Sequence, residues 1–297
     1  MQLPDHVRSY YVATAIGLIE RPLLQGSVDC DVCVVGAGFT GLSAALDLAA
    51  RGYSVVVLEA SRVGWGASGR NGGQLNTGLR KGPADLIALY GRDEARRLFA
   101  MAEEAKALVH ERIARHAIDC DLKPGVLLAA IRTREIAWMR EEVDLARSAF
   151  GYDKLVLLDR DQVRSEVASG RYCAGILDRG AAHLHPLNYA LGLARAAEAA
   201  GARIFEGNRV VDIKRGAAPV LATERGRVTA RFVVLAGNAY LGRLEPRIAG
   251  TIMPINNYII ATEPLGERAK ALIPHDVAVH DTKFVVDYYR LSKDGRL

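Results

Sequence analysis

The feature that most constrains this chain is a strand–turn–helix–strand pattern near its N-terminus, over residues 31–59. A short apolar run enters a turn with glycines in G-x-G-x-x-G spacing at Gly36, Gly38 and Gly41. A helical apolar pattern follows and closes at a glycine, and a second apolar run ends at Glu59. The pattern predicts a βαβ unit that binds a dinucleotide, because the glycines allow close approaches that side chains would block.

Each part of this pattern has its own task in the predicted site. Gly36 permits the tight turn out of the strand, Gly38 lets the backbone approach a pyrophosphate, and Gly41 lets the helix lie close to the strand. The helix N-terminus offers free N–H groups and a partial positive charge to the phosphates. Glu59 is placed to accept hydrogen bonds from ribose hydroxyls. Two alternatives stay open at this point: a βαβ unit without nucleotide, and NAD(P) in place of FAD.

A glycine-rich stretch after the second strand favours a flavin. Residues 64–74, which we call the glycine loop, read GWGASGRNGGQ and mix glycines with Trp65, Arg70 and Asn71. A flexible linker is also rich in glycine, but it rarely carries such side chains. A backbone that passes close to a large flat ring, fixed by a few polar groups, explains this composition. A nicotinamide enzyme has no need of such a segment here.

These two stretches together carry a resemblance to a known family. VVGAGFTGLSAALDLAARGYSVVVLEA followed by GWGASGRNGGQ resembles the FAD-dependent oxidoreductases of the D-amino-acid oxidase (DAO) type, which include glycine oxidase and sarcosine oxidase. Later stretches agree with it, namely HLHPLNYALGLARAAEAAGARIFEGNRVVDI, RFVVLAGNAYLG, MPINNYIIATEPLGE and YYRLSKDGRL. Within the family, GASGRNGGQ, SYYVATA and PINNYIIATEPLG most resemble gamma-glutamylputrescine oxidoreductases.

The resemblance and the order of elements predict an α/β chain, α+β overall. A Rossmann-like FAD-binding domain would be assembled from residues 1–82 and 186–245. An inserted, mostly antiparallel substrate domain would comprise residues 83–185 and 246–297. The last residues, YYRLSKDGRL, form a hairpin signal with almost no second arm. We therefore expect the chain to be truncated at its C-terminus.

The resemblance also implies a set of FAD contacts. They are Gly36, Ala37, Gly38, Phe39, Thr40, Gly41, Glu59, Ala60, Gly66, Ala67, Ser68, Arg70, Asn71, Gly72, Gly73, Gln74, Val210, Val211, Ala236 and Gly237. Val210 or Val211 would meet the adenine side of FAD through its backbone. Simple packing of both valines in a sheet core is the alternative.

Two later segments are predicted to be strands of the sheet that covers the flavin. They are residues 255–262 and residues 284–291. Because a strand presents alternate residues to one face, Tyr258 and Arg290 become candidates for the substrate pocket. The alternative is that both are ordinary surface residues.

The chemistry that the resemblance implies belongs mostly to the cofactor. The expected reaction is FAD-dependent oxidative deamination of a primary amine, gamma-glutamylputrescine, to the aldehyde with ammonia and, with oxygen as acceptor, hydrogen peroxide. An enzyme for glycine, sarcosine or D-amino acids stays open as an alternative, and so does an inactive nucleotide-binding fragment. The sequence assigns no catalytic base.

Composition and spacing argue against several other classes. The formal net charge of +5 comes without a long basic block, so nucleic-acid binding is not predicted. No apolar run approaches the ~20 residues of a spanning helix, and we expect a cytoplasmic protein without a membrane span. Cys30 and Cys33 are three apart on a strand and would point to opposite faces. His183 and His185 have no further ligands nearby, so no metal site is predicted.

Overall fold

The computed structural model describes residues 5–297. Its helices are α1 (Tyr10–Ala13), α2 (Phe39–Ala50), α3 (Pro83–Tyr90), α4 (Arg92–Arg115), α5 (Ile136–Phe150), α6 (Arg160–Glu166), α7 (Pro186–Ala199), α8 (Pro246–Ala249) and α9 (Glu267–Leu272). Its strands are β1 (Gly26–Val35), β2 (Val55–Leu58), β3 (Gln74–Leu75), β4 (Lys123–Ala130), β5 (Leu155–Leu158), β6 (Ala174–His183), β7 (Arg203–Phe205), β8 (Asp212–Lys214), β9 (Val220–Ala222), β10 (Gly226–Leu235), β11 (Ala278–Asp281) and β12 (Tyr288–Tyr289). Short 3₁₀ turns lie at Ala67–Gly69, Thr133–Glu135, Asn238–Tyr240 and Gly242–Leu244.

The first of two compact units contains the chain up to Asn71, residues 116–120 and residues 186–259. Its six-stranded sheet has the order β7-β2-β1-β10-β9-β8. The first four strands in this order are parallel, while β9 and β8 are added antiparallel. Parallel strands joined by a helix are the arrangement that the βαβ pattern predicted, so the expected Rossmann-like fold is confirmed.

Helix α2 shows why the sequence folds in this way. Its buried apolar side chains, Leu42, Ala45, Leu46 and Ala49, recur at helical spacing and form one apolar face. Two of the four are alanines, so the helix axis lies close to the sheet. Strand β2 is buried along its whole length, as expected for a strand covered on both faces.

The prediction that Cys30 and Cys33 point to opposite faces is wrong. Both thiols are buried in one apolar cluster, and burial raises the pKa of Cys30 to about 11. The reason is an irregularity at Asp31, where the backbone N–H groups of Asp31 and Val32 both donate to the Ser54 carbonyl, at 3.0 and 3.1 Å. Cys30 and Cys33 therefore face the same cluster, although the register of β1 with β10 is the same on both sides of Asp31.

The second unit contains residues 72–115, 121–185 and 260–297. Its sheet has the order β12-β11-β4-β6-β3, and β5 also pairs with β6. Every pairing is antiparallel except that of β11 with β4. The expectation of a mostly antiparallel sheet is therefore confirmed. Its largest apolar cluster includes Leu127, Val163, Leu177, Ile273 and Val279.

The boundaries of these units differ from the predicted domain boundaries. The difference is clearest at the end of the glycine loop, where Gln74 and Leu75 pair with β6 of the second unit. A compact unit is not the same as an independently folding domain, so the domain boundaries stay a prediction. Within residues 5–297, no helix combines the length and the apolarity that a membrane crossing requires.

The strands predicted at residues 255–262 and 284–291 are wrong in large part. Residues 252–262 have no strand, and only Tyr288–Tyr289 of the second segment forms one. A strand needs a neighbour to accept its backbone hydrogen bonds, and among residues 5–297 no strand pairs with residues 252–262.

Candidate functional site

The turn between β1 and α2 brings three pieces of backbone into close approach. Gly36 has a φ of +106°, and a Cβ atom there would lie 2.7 Å from the carbonyl oxygen of Ala236. A Cβ atom on Gly41 would overlap the carbonyl oxygen of Gly36. Only glycine readily adopts the positive φ of Gly36, and only a residue without a Cβ atom fits at either position. The roles predicted for Gly36 in the turn and for Gly41 in helix–strand packing agree with this geometry.

The N-terminus of α2 offers backbone donors at this turn. Gly38 is the N-cap residue, and the Phe39 N–H donates to the Ser68 hydroxyl at 3.0 Å. The N–H groups of Thr40 and Gly41 have no hydrogen-bond partner among residues 5–297. Unpaired donors and the helix dipole together favour an anion. The turn therefore has the chemistry of a phosphate site.

Glu59 follows β2 and closes the turn from the other side. Its carboxylate accepts hydrogen bonds from the backbone N–H of Ala37 at 2.7 Å and of Ser61 at 2.9 Å. Burial raises the pKa of this carboxyl, although the two hydrogen bonds act in the opposite direction. The contact with Ala37 ties the ends of β1 and β2 together. The sequence predicted a ribose-binding role for Glu59 but not this one.

Residues 64–71 of the glycine loop are folded on themselves. Gly64 has a φ of +69° and donates to the Ala37 carbonyl at 2.9 Å. The Arg70 guanidinium lies over the Trp65 ring at 4.5 Å from its centre. The Asn71 amide donates to two carbonyls of the same turn, at 3.0 and 3.1 Å. These contacts give the polar residues of the loop the fixing role that distinguishes it from a flexible linker.

Ser68 is the residue of the glycine loop that reaches α2. Its hydroxyl accepts the hydrogen bond from Phe39, and a Cβ atom on Gly38 would lie 2.8 Å from it. The hydroxyl thus occupies the space that the missing side chain of Gly38 leaves. Phe39 in turn packs its ring against Tyr189, with the ring centres 5.4 Å apart. Ala60 and Ala67 are exposed.

The end of the glycine loop lies in the second unit, beside Arg290. The Arg290 Nε donates to the Gly72 carbonyl at 3.1 Å. A Cβ atom on Gly72 would lie 2.7 Å from the Tyr288 ring, and one on Gly73, where φ is +71°, would overlap the Leu184 carbonyl oxygen. Both glycines are therefore required by close packing within this unit.

Gln74 belongs to the sheet of the second unit. It pairs in register with His183 of β6. Its side-chain amide donates to the Val279 carbonyl at 3.2 Å, and its Oε1 lies 3.1 Å from Nδ1 of His280. The side chain therefore links β3 to β11.

The remaining predicted cofactor contacts lie in the first unit. Val210 is buried in the apolar cluster of the sheet, whereas Val211 is 56% exposed. The Val211 N–H donates to the Ala222 carbonyl at 2.9 Å. Ala236 donates to the Val35 carbonyl at 2.8 Å, and the Gly237 carbonyl accepts from the N–H of Tyr240 at 2.9 Å. Ala236 and Gly237 thus lie at the end of β10, next to the turn after β1.

The structure does not give Tyr258 the strand position that the sequence predicted. Its side chain is 84% exposed, on a segment without regular structure. Tyr258 belongs to the first unit, whereas Arg290 belongs to the second. The alternative interpretation was an ordinary surface residue, and the exposure of Tyr258 agrees with that alternative.

A buried polar cluster near Arg290 was not found from the sequence. His183 is fully buried, its Nε2 donates to the Asp276 carbonyl at 2.6 Å, and its Nδ1 has no partner among the described residues. Burial lowers the pKa of His183 to about 4, and the nearby Arg290 acts in the same direction. Lys123 forms an ion pair with Asp276. No local signal could have found this cluster, because its members come from distant parts of the sequence.

The residues present fit an adenine dinucleotide in the first unit. The turn after β1 is lined by backbone and by the Ser68 hydroxyl, has unpaired donors at a helix N-terminus, and carries a carboxylate at the end of the neighbouring strand. No group of three or more His, Cys, Asp or Glu residues within 5–297 is arranged to hold a metal ion. The geometry therefore points to a nucleotide cofactor.

Comparisons with known proteins identify the family. A family model described as FAD dependent oxidoreductase (DAO) matches residues 31–297. Gamma-glutamylputrescine oxidoreductase of Escherichia coli is 44% identical over 99% of this chain and 70% of its own length. The probable oxidoreductase OrdL of Haemophilus influenzae is 40% identical over 99% of this chain and 69% of its own length.

Solved structures show the same fold. Glycine oxidase from Geobacillus kaustophilus gives a TM-score of 0.66 at 23% identity and covers 91% of this chain and 70% of its own. L-amino acid deaminase from Proteus myxofaciens gives 0.73 at 21% identity and covers 95% of this chain and 60% of its own. The family match and the two identities of 40% or more show that this chain belongs to the DAO family of FAD-dependent oxidoreductases.

Proposed function

We propose that this enzyme oxidises the primary amine of gamma-glutamylputrescine to the aldehyde and releases ammonia. The observation that carries the proposal is the 44% identity to gamma-glutamylputrescine oxidoreductase over 99% of this chain. FAD, when bound, accepts the hydride equivalent that the amine carbon gives up. With oxygen as the final acceptor, one amine, one oxygen and one water give one aldehyde, one ammonia and one hydrogen peroxide.

We propose that the first unit binds the pyrophosphate of FAD at the N-terminus of α2. Support comes from the unpaired N–H groups of Thr40 and Gly41 and from the glycines that wall the turn. The remaining predicted contacts, from Glu59 to Gly237, stay part of this proposal. Contact of Glu59 with the ribose is included, since a carboxylate oxygen that accepts one hydrogen bond keeps a second lone pair.

We propose Arg290 as the anchor for the substrate carboxylate. Its guanidinium is held beside the glycine loop by the Gly72 carbonyl at 3.1 Å and is partly buried. A fixed, partly buried guanidinium favours a carboxylate, because the planar fork matches its two oxygens. Gamma-glutamylputrescine carries such a group at the end remote from its reacting amine. Tyr258, as an exposed residue of the first unit, has no such support.

The substrate is tested by an assay of peroxide and of dye reduction on the flavin-loaded enzyme. Gamma-glutamylputrescine, glycine, sarcosine and D-alanine are compared at equal concentration. We expect kcat/KM for gamma-glutamylputrescine to exceed the others by about 100-fold or more, since a difference of ~3 kcal/mol in transition-state binding gives this ratio. A preference for glycine, sarcosine or D-alanine would refute the substrate and leave the family unchanged.

The role of Arg290 is tested with Arg290→Lys. We expect KM for gamma-glutamylputrescine to rise about tenfold while kcat changes less, because the bidentate contact is lost and the charge is kept. An N-acylputrescine without the glutamyl carboxylate should show less than about a twofold change. Arg140→Lys, at an exposed arginine of α5, is the matched control. Equal losses for both substrates would argue against a carboxylate anchor.

We further propose oxygen as the electron acceptor and the cytoplasm as the location. The support for the location is that all four cysteines are free thiols, as is usual in a reducing compartment. Peroxide formed in a one-to-one ratio with aldehyde would support oxygen. Turnover that requires an added dye would point to another acceptor.

A further inference from the structure

Residues 5–24, which we call the N-terminal strap, are bound to the first unit by buried polar side chains. The family model begins at residue 31, after the strap. Asn188 accepts a hydrogen bond from the Ile16 N–H at 2.8 Å, and Asn208 accepts one from the Leu24 N–H at 3.1 Å. Asn188 and Asn208 are only 4% and 2% exposed. Because a buried polar group is costly without a partner, loss of the strap would take one hydrogen bond from each of these buried side chains.

A buried carboxylate connects the strap to the residues just before the glycine loop. Glu206 is 1% exposed and accepts hydrogen bonds from the Arg21 N–H at 3.4 Å and from the Val63 N–H at 2.9 Å. It also pairs with the guanidinium groups of Arg21 at 3.4 Å and of Arg62 at 3.1 Å. One charge thus fixes two segments that are distant in the sequence.

The strap also contacts the glycine loop directly. The Tyr11 hydroxyl donates to the Asn71 carbonyl at 2.8 Å, and Tyr11 is 8% exposed. The Trp65 Nε1 donates to the Asp5 carbonyl at 3.0 Å. The strap therefore holds the loop near both ends of its part in the first unit.

The held loop leads to the proposed phosphate site. The Asn71 amide donates to the carbonyls of Ala67 and Ser68 at 3.0 and 3.1 Å. The Ser68 hydroxyl accepts from the Phe39 N–H, the first residue of α2, at 3.0 Å. A continuous series of hydrogen bonds thus runs from Tyr11 to the helix terminus.

We propose that the strap fixes the glycine loop in the conformation that receives FAD, with Tyr11 as its main positioning residue. A loop that is ordered before the cofactor arrives loses less entropy on binding, so the affinity is higher. The proposal rests on FAD as the cofactor and is independent of the substrate.

The test compares Tyr11→Phe with the unchanged chain in two measurements. FAD affinity is measured by the recovery of free-flavin fluorescence on dilution of the loaded enzyme. Hydrogen exchange of the amides of residues 64–71 is measured on the protein without FAD. We expect the Kd for FAD to rise about fivefold, the loss typical of one hydrogen bond, and the loop amides to exchange faster by a similar factor.

Tyr53→Phe is the matched control, since Tyr53 belongs to the same unit and is 44% exposed. It should change neither measurement. A merely structural role for Tyr11 would lower the temperature of unfolding but leave both the Kd and the loop exchange within twofold of the unchanged chain, and that result would overturn the proposal. The exchange measurement needs neither FAD nor substrate. It therefore tests whether Tyr11 orders the glycine loop even if the enzyme acts on another amine.

Discussion

The two units of this protein build their polar interiors in different ways. In the first unit, the turn after β1 is formed by glycines close in sequence, with Gly36 and Gly41 in near contact, and the backbone of Ala236 packs against it. In the second unit, Tyr152 joins residues far apart in sequence: its hydroxyl lies 2.8 Å from that of Thr77 and donates to Asp178 at 2.7 Å. The first arrangement depends on glycines, which have no side chain, and the second depends on hydrogen bonds between side chains.

This difference explains which site could be recognised from the sequence. A turn built from neighbouring residues needs glycines at fixed spacing, because the covalent chain sets their distances. A network such as that of Tyr152 places no constraint on spacing. Its members meet only because β6, the segment after α5 and the segment after β3 pack together. The three predictions that follow test this contrast, from the largest expected effect to the smallest.

Gly41→Ala should have the largest effect, since the new Cβ atom would overlap the Gly36 carbonyl oxygen. We expect the free energy of unfolding to fall by about 3 kcal/mol or more, because α2 must move away from β1. We also expect the Kd for FAD to rise by about 100-fold or more, since the shift displaces the N-terminal donors of α2. Chemical denaturation and flavin titration measure the two effects.

The matched control for this substitution is Gly170→Ala in the second unit. A Cβ atom on Gly170 would have no neighbouring atom within 4 Å, and the φ of this residue is not left-handed. We expect the free energy of unfolding to change by less than about 1 kcal/mol and FAD affinity to stay the same. Equal effects at the two glycines would contradict the argument from close approach.

His183→Gln should remove a pH dependence from the stability of the second unit. Burial lowers the pKa of His183 from 6.5 to about 4. The folded chain therefore holds this ring neutral, while the unfolded chain binds a proton as the pH falls below the ordinary value. The contribution of this ring to the free energy of unfolding is complete above pH 6.5 and is lost as the pH falls towards 4. Between about pH 7 and pH 4, the unchanged chain should lose on the order of 3 kcal/mol more than the variant.

Denaturation curves over this pH range measure the difference. Leu89→Gln is the control, because the Leu89 side chain is 59% exposed in the same unit and the substitution removes no titratable group. Its pH dependence should stay parallel to that of the unchanged chain. If the pH dependence of the His183 variant were also parallel to that of the unchanged chain, the buried ring would not resist protonation.

Tyr152→Phe should have the smallest effect of the three. It removes the hydrogen bond to Asp178 and leaves that buried carboxylate with one donor fewer. Such a loss costs about 1–3 kcal/mol in the free energy of unfolding. Tyr90→Phe, at a tyrosine of the same unit that is 57% exposed, is the control and should change it by less than about 0.5 kcal/mol. An effect on FAD affinity without an effect on stability would contradict a structural role.

The sequence predicted much of the fold because its signals are local. The pattern of residues 136–150 predicts a helix, and α5 has these bounds. The patterns of residues 175–185 and 188–200 predict a strand and a helix, and β6 and α7 differ from these bounds by one or two residues. The pattern from Pro83 to about His116 predicts one long helix, but the structure has two, α3 and α4, since Gly91 between them has a φ of +77°. The strand predicted at residues 255–262 is absent, because alternation alone does not supply a pairing partner.

The sequence by itself determined the family, the cofactor and the turn after β1, since glycine spacing and the adjacent strand–helix pattern are properties of consecutive residues. The tertiary structure alone decided that Glu59 binds the backbone of Ala37, that His183 is buried beside Asp276, and that Tyr11 holds the glycine loop. These contacts join residues that only packing brings together. Burial then sets their protonation and their strength, and neither can be inferred from the spacing of residues along a chain.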